Sequence, residues 1–120
     1  MILTGSNDNA LKLWSTASGT CLQTFAKHTE AVTSCAWLPD SSSFVSGSLE
    51  KVIYLWNLQG EILHKWSGIR VMDLAVAGGG QTLIATSEKR IRVYDLDSKA
   101  ELLYVFYHLV VTWDSYRRTK

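Results

Sequence analysis

Ser46, His28 and Glu50 are a hydroxyl, an imidazole and a carboxylate. From these three group types a hydrolase builds its nucleophile, base and orienting acid, and the chemistry would be acyl transfer. The surroundings of Ser46 argue otherwise. The run Phe44-Val45-Ser46-Gly47-Ser48 lacks both glycines of the G-x-S-x-G nucleophile elbow. Metal chemistry has no better footing, because His28, His64, His108, Cys21 and Cys35 show no ligand spacing. Neither a metal nor another cofactor is expected. Gly78-Gly79-Gly80 precedes a strand-like run rather than a helix, so it reads as a flexible turn and not as a phosphate cradle. Lys89, Arg90 and Arg92 alternate at a strand edge, and Arg117, Arg118 and Lys120 end the chain. Both groups read as solvated charge rather than nucleic-acid contacts.

The elements that must position Ser46, His28 and Glu50 lie between His28 and Trp56. Three alternating runs rich in β-branched and aromatic residues stand there: Val32 to Trp37, Ser43 to Gly47 and Val52 to Trp56. Polar breaks at Pro39-Asp40 and at Ser48 to Lys51 separate them, so the stretch reads as a small antiparallel meander. Parts of it recur. LKLW closes at Trp14, IYLW at Trp56 and IRVY at Tyr94, a period of about 40 residues. Counting back from each aromatic finds Gly5-Ser6, Gly47-Ser48 and, degenerate, Ala85-Thr86. Nearer to each stand Asp8, Glu50 and Glu88.

This period, with a tryptophan closing the third strand of four, resembles the WD40 repeat family of β-propellers. That family's marks are a Gly-His pair, a Ser-Gly-Ser, an Asp in the following turn and a Trp-Asp. Here they read Lys27-His28, Ser46-Gly47-Ser48, Glu50 and Trp56-Asn57. The resemblance implies an all-β fold: a partial WD40 propeller of about three four-stranded antiparallel blades, not closed. An incomplete blade is expected over residues 1–25, a complete one over 30–66 and a degenerate one over 70–106. Residues 107–120 form a divergent C-terminal tail.

The same resemblance assigns His28, Ser46, Glu50 and Trp56 to a structural tetrad. In it the indole donates to the hydroxyl, the hydroxyl to the imidazole and the imidazole to the carboxylate. Thr4, Asp8 and Trp14 would form a partial one. In the third unit Ser67 takes the His place, Ile84 or Ala85 the hydroxyl place and Tyr94 the Trp place, so no tetrad is expected there. Ser46 and Glu50 are expected near a solvated blade face. The family's loops before the inner strand, and between the second and third strands, form one binding face. These are Lys27, Thr29 and Glu30, then Asn7, Asn9, Leu49 and Lys51. Leu49 is apolar in a turn that favours polar residues, and either anchors a partner or packs on its neighbour.

Composition bounds the rest. The 120 residues are 47% hydrophobic and 11% aromatic, enough for a core, with a net charge of +1. Such a balance gives no dedicated nucleic-acid surface. A closed propeller needs ~4–8 blades, more than this length holds. The opening MILTGSND lacks the n- and h-regions of a secretory signal, and no apolar run approaches the ~20 residues of a membrane helix. Cys35 alternates with apolar residues and is expected to be buried; two cysteines without a C-x-x-C fit a reduced, intracellular compartment.

The function expected is therefore a non-enzymatic protein-interaction scaffold. AWLPD, FVSGS, the W-N-L-x-G turn and D-L-A-V further resemble the propeller subunits of GID/CTLH ubiquitin ligases, the WD-repeat protein 26-like group. That resemblance implies a segment of a substrate-recruiting or assembly subunit, cytoplasmic and also nuclear. Its partners would be ligase subunits or substrates, not nucleic acid or membrane. Two alternatives stay open: a WD40 adaptor in RNA processing or signalling, and a truncated product without activity of its own. The isolated chain is expected to self-associate, helped by the apolar run from Leu102 to Trp113.

Overall fold

The computed structural model describes residues 1–88 and 90–106. Lys89 and the tail 107–120, with His108, Arg117, Arg118 and Lys120, lie outside the described residues. The chain forms three antiparallel sheets, each with its strands in sequence order. The first holds β1 (Ile2–Gly5), β2 (Leu11–Trp14) and β3 (Cys21–Phe25). The second holds β4 (Val32–Trp37), β5 (Ser43–Ser48), β6 (Val52–Asn57) and β7 (Ile62–Ser67). The third holds β8 (Asp73–Ala77), β9 (Thr82–Thr86), β10 (Arg90–Asp95) and β11 (Glu101–Phe106). The fold is an open, nearly all-β array of blade-like sheets, with a 3₁₀ turn at Gly78–Gly80 between β8 and β9.

The second sheet is the middle layer. Successive side chains of a strand point to opposite faces, and here both faces are covered. Phe44, Val52, Tyr54 and Trp56 pack with Leu11, Leu13 and Phe25 of the first sheet. Val45, Ile53 and Leu55 pack with Leu74, Leu83, Ala85 and Tyr94 of the third. This explains why β5 is buried along its whole length, an apolar-and-serine run rather than a half-polar one. The outer strand β7 instead alternates between partly buried and exposed positions up to Trp66.

The two junctions between sheets are built alike. A Cβ on Gly5 would stand 2.5 Å from Val32 Cγ1, and a Cβ on Gly47 would stand 2.5 Å from Val71 Cγ1. Only glycine lets the following segment approach this closely. The backbone repeats the pattern, since Val32 N–H donates to Ser6 O at 3.0 Å and Val71 N–H donates to Ser48 O at 3.2 Å.

Each sheet also carries a bulge in its outer strand at the same place. Pairing jumps from Gln23 to Cys21, from His64 to Ile62 and from Leu103 to Glu101. The residues passed over are Leu22, Leu63 and Leu102, all exposed. An extra residue in one strand bends it and interrupts the ladder.

One sequence alignment shifts. Trp56 faces Phe44 across its hairpin and Tyr94 faces Leu83, which sets Ala85 opposite Ser46's place and Thr86 at that of Gly47. Counting back from the aromatics matches Ala85-Thr86 to Gly47-Ser48 instead. The count fails because the β9–β10 hairpin is shorter than β5–β6 by one residue. Of Ile84 and Ala85, it is Ala85 that occupies the hydroxyl place.

Candidate functional site

Four side chains, each from a different part of the chain, meet in one line of hydrogen bonds. β5 supplies Ser46, β6 supplies Trp56, the β5–β6 turn supplies Glu50, and the segment before β4 supplies His28. Trp56 Nε1–H donates to Ser46 Oγ at 2.9 Å. Ser46 Oγ lies 2.6 Å from His28 Nε2, and His28 Nδ1 lies 2.5 Å from Glu50 Oε1. With the indole hydrogen already on Ser46, the hydroxyl donates to Nε2, and the other ring nitrogen carries its proton toward Glu50. Glu50 receives two further bonds from Thr29, the backbone N–H at 3.0 Å and the hydroxyl at 3.0 Å. Tyr54 leans on the imidazole, ring centroids 4.8 Å apart.

The electrostatics match a neutral imidazole beside an ionised carboxylate. Burial pushes the His28 pKa below its ordinary value, against the pull of Glu50. Burial pushes Glu50 upward, but the bonds from His28 and Thr29 outweigh it, so its carboxyl titrates below the usual range. The order of groups is that of a hydrolase triad, yet Ser46 is fully buried and its oxygen already accepts from Trp56. A carbonyl substrate has no approach to it. The placement of Ser46 near a solvated face is thus corrected: the second sheet is covered on both sides, and only Glu50 reaches toward the rim.

The first sheet has a shorter version. Trp14 Nε1–H donates to Thr4 Oγ1 at 2.9 Å, in the open rather than buried. Asp8 accepts from Ala10 N–H within its own turn at 3.1 Å. In the third sheet Ala85 has no hydroxyl to offer, and Tyr94 is buried against Trp66, ring centroids 5.4 Å apart. Cys35 is half-buried rather than buried, because β4 is the edge strand of its sheet. Among the described residues no three His, Cys, Asp or Glu side chains converge as metal ligands.

The loop residues fall into two groups. Asn9 Nδ2 donates to Thr29 O at 3.1 Å, which ties the first hairpin to the His28 segment; Asn7, Lys27 and Glu30 are exposed nearby in the chain. Leu49 and Lys51 instead line a groove of about 560 Å³ with Gly68, Arg70, Met72, Ser87, Glu88 and Arg90. Arg70 and Met72 are not among the residues singled out from the sequence. They stand in the loop before the inner strand of the third unit, the counterpart of the loop that holds Thr29 and Glu30, and that correspondence could have found them.

Residues 19–57 match the family model described as WD domain, G-beta repeat. The chain carries a WD40 repeat. The matched span runs from β3, the outer strand of the first sheet, through β4, β5 and β6 of the second. A single WD40 repeat therefore straddles two sheets. The chain is 39% identical over 108 residues to the WD repeat-containing protein WDS homolog of Arabidopsis thaliana, covering 83% of this chain and 21% of that protein. It is 36% identical over 81 residues to GID complex subunit 7 of Schizosaccharomyces pombe, covering 61% and 16%. It is 31% identical over 102 residues to the WD repeat-containing protein 26 homolog of Drosophila melanogaster, covering 82% and 16%. The chain thus spans at most 21% of the length of these curated relatives. Among the described residues no helix is long and apolar enough to cross a membrane.

Proposed function

We propose that this WD40 segment is a non-enzymatic protein-interaction scaffold, part of a substrate-recruiting or assembly subunit of a GID/CTLH-type ubiquitin ligase. His28, Ser46, Glu50 and Trp56 act as a structural tetrad that fixes the loops, and Thr4, Asp8 and Trp14 as a partial one. Asn7, Asn9, Lys27, Thr29, Glu30, Leu49 and Lys51 make the contacts with ligase subunits or substrates. The site of action is the cytoplasm and nucleus. The units are an incomplete blade at 1–25, a complete blade at 30–66, a degenerate blade at 70–106 and a divergent tail.

The observation that carries this reading is the similarity to GID complex subunit 7 and to the WD repeat-containing protein 26 homolog. The buried, fully engaged Ser46 supports the non-enzymatic part. The test is affinity purification of the full protein that contains this segment, wild type against Lys27→Ala/Leu49→Ala/Lys51→Ala. Retention of ubiquitin-ligase subunits or their substrates by the wild type, with loss of at least one in the triple variant, is the expected result. Retention of RNA-processing or signalling proteins alone would replace it with the adaptor reading.

A further inference from the structure

The two sheet junctions share one backbone plan but not one surface. By the glycine and valine that close each junction, Asn7, Asn9, Ala31 and Thr33 at the first correspond to Leu49, Lys51, Arg70 and Met72 at the second. The first set is small and uncharged: three polar residues and an alanine. The second sets two cations around two bulky apolar side chains. Arg90 adds a third cation to the lining, where the second sheet has the buried Val52 four residues before its closing aromatic. Glu88 is the single acid among the described lining residues. Lys51 and Arg70 form no ion pair with a described residue.

The groove is held open by the backbone. Gly68 N–H donates to Lys51 O at 3.0 Å and Met72 N–H donates to Thr86 O at 2.7 Å, so the connecting segment is tied to the hairpins on both sides. Lys51 itself stands at φ 68, the left-handed conformation that Asn9 adopts at φ 73. Asparagine enters that region far more readily than lysine. A lysine held there, an exposed methionine in the lining at 51% and a cationic rim are three features that the first junction lacks.

From this, the geometry points to a docking groove for an acidic peptide segment of another protein, one that carries a bulky apolar side chain between its carboxylates. The carboxylates meet Lys51 and Arg70, and the apolar side chain covers Leu49 and Met72. Buried aliphatic contact flanked by charge-assisted bonds gives both affinity and orientation. A nucleic acid fits less well, since no aromatic ring among the described lining residues offers a base a stacking surface. The assignment rests on the scaffold reading above and names the chemistry of one partner site.

The probe is a fluorescein-labelled peptide of alternating glutamate and leucine, titrated into the 120-residue chain and followed by anisotropy. Controls are the same peptide with glutamine for glutamate, and with alanine for leucine. Lys51→Glu/Arg70→Glu is expected to weaken binding at least tenfold, Met72→Ala several-fold, and both control peptides should bind at least tenfold more weakly. Lys65→Glu, an exposed charge change on β7, should leave the affinity unchanged. Circular dichroism confirms that each variant is folded. No measurable binding by wild type, equal binding of the glutamine peptide, or an equal loss in Lys65→Glu would overturn the assignment. So would a single-stranded oligonucleotide that binds this groove more tightly than the peptide. Absence of ligase subunits from the wild-type purification above, with peptide binding intact, would instead overturn the ligase reading alone.

Discussion

Gly47 and Val71 meet with no room between them: a Cβ at Gly47 would lie 2.5, 2.8 and 2.9 Å from three carbons of the valine side chain. The contact seats the third sheet on the second. It recurs between Gly5 and Val32. Gly47→Ala should cost about 1–3 kcal/mol, the range for overpacking a filled interior. Urea melts measure it. Adding Val71→Ala should recover part of the loss, whereas simple additivity of the two changes would show that the contact is not the cause.

The tetrad gives an order of costs. Trp56→Ala removes the ring that packs on Phe25, Phe44 and Tyr54 and should cost about 3–5 kcal/mol. His28→Ala leaves Ser46 and Glu50 without their shared partner, a loss of about 1–3 kcal/mol. Denaturant melts of both variants check the ranking. A larger loss for His28→Ala would reverse the roles given to packing and to hydrogen bonding.

Acid should loosen the second sheet. Burial, opposed by Glu50, holds the folded pKa of His28 below its ordinary 6.5, so protons bind more readily to the unfolded chain. The contribution is complete above about 6.5 and declines as the pH falls below it. Glu50, depressed by His28 and Thr29 against its own burial, acts in the same direction at lower pH. Its contribution is present above its ordinary 4.5 and is lost as the pH falls through the folded value. The wild-type urea midpoint should therefore drop between pH 7.5 and 5.5, and His28→Gln should flatten that drop. An equal drop in both proteins would assign the effect to other groups.

Ser46 should not react with a fluorophosphonate probe, because its oxygen is buried and engaged on two sides. Stoichiometric labelling, mapped to Ser46 by mass spectrometry, would reopen the hydrolase reading.

Much of the fold was legible because it is periodic. Trp14, Trp56 and Tyr94 mark the same strand in three sheets, and the three-sheet array follows from them. The register of the third unit was not legible, since counting from Tyr94 assumes hairpins of equal length and β9–β10 is shorter. The bulges at Leu22, Leu63 and Leu102 were hidden for a related reason: strict alternation has no place for an unpaired residue. Sequence marks could name Gly47 but not the valine that makes it necessary, which stands in the connecting segment before β8. The groove at Lys51 was missed in part because Arg70 and Met72 join it only through the stacking of two sheets.

The repeated bulge leaves its mark on each rim. Every outer strand is interrupted at one exposed leucine where it pairs with its inner neighbour. A bulge bends its strand and raises the local twist, so a strand added alongside would meet a bent edge rather than a straight one. Sheets blunt their edges against sideways pairing by the same device.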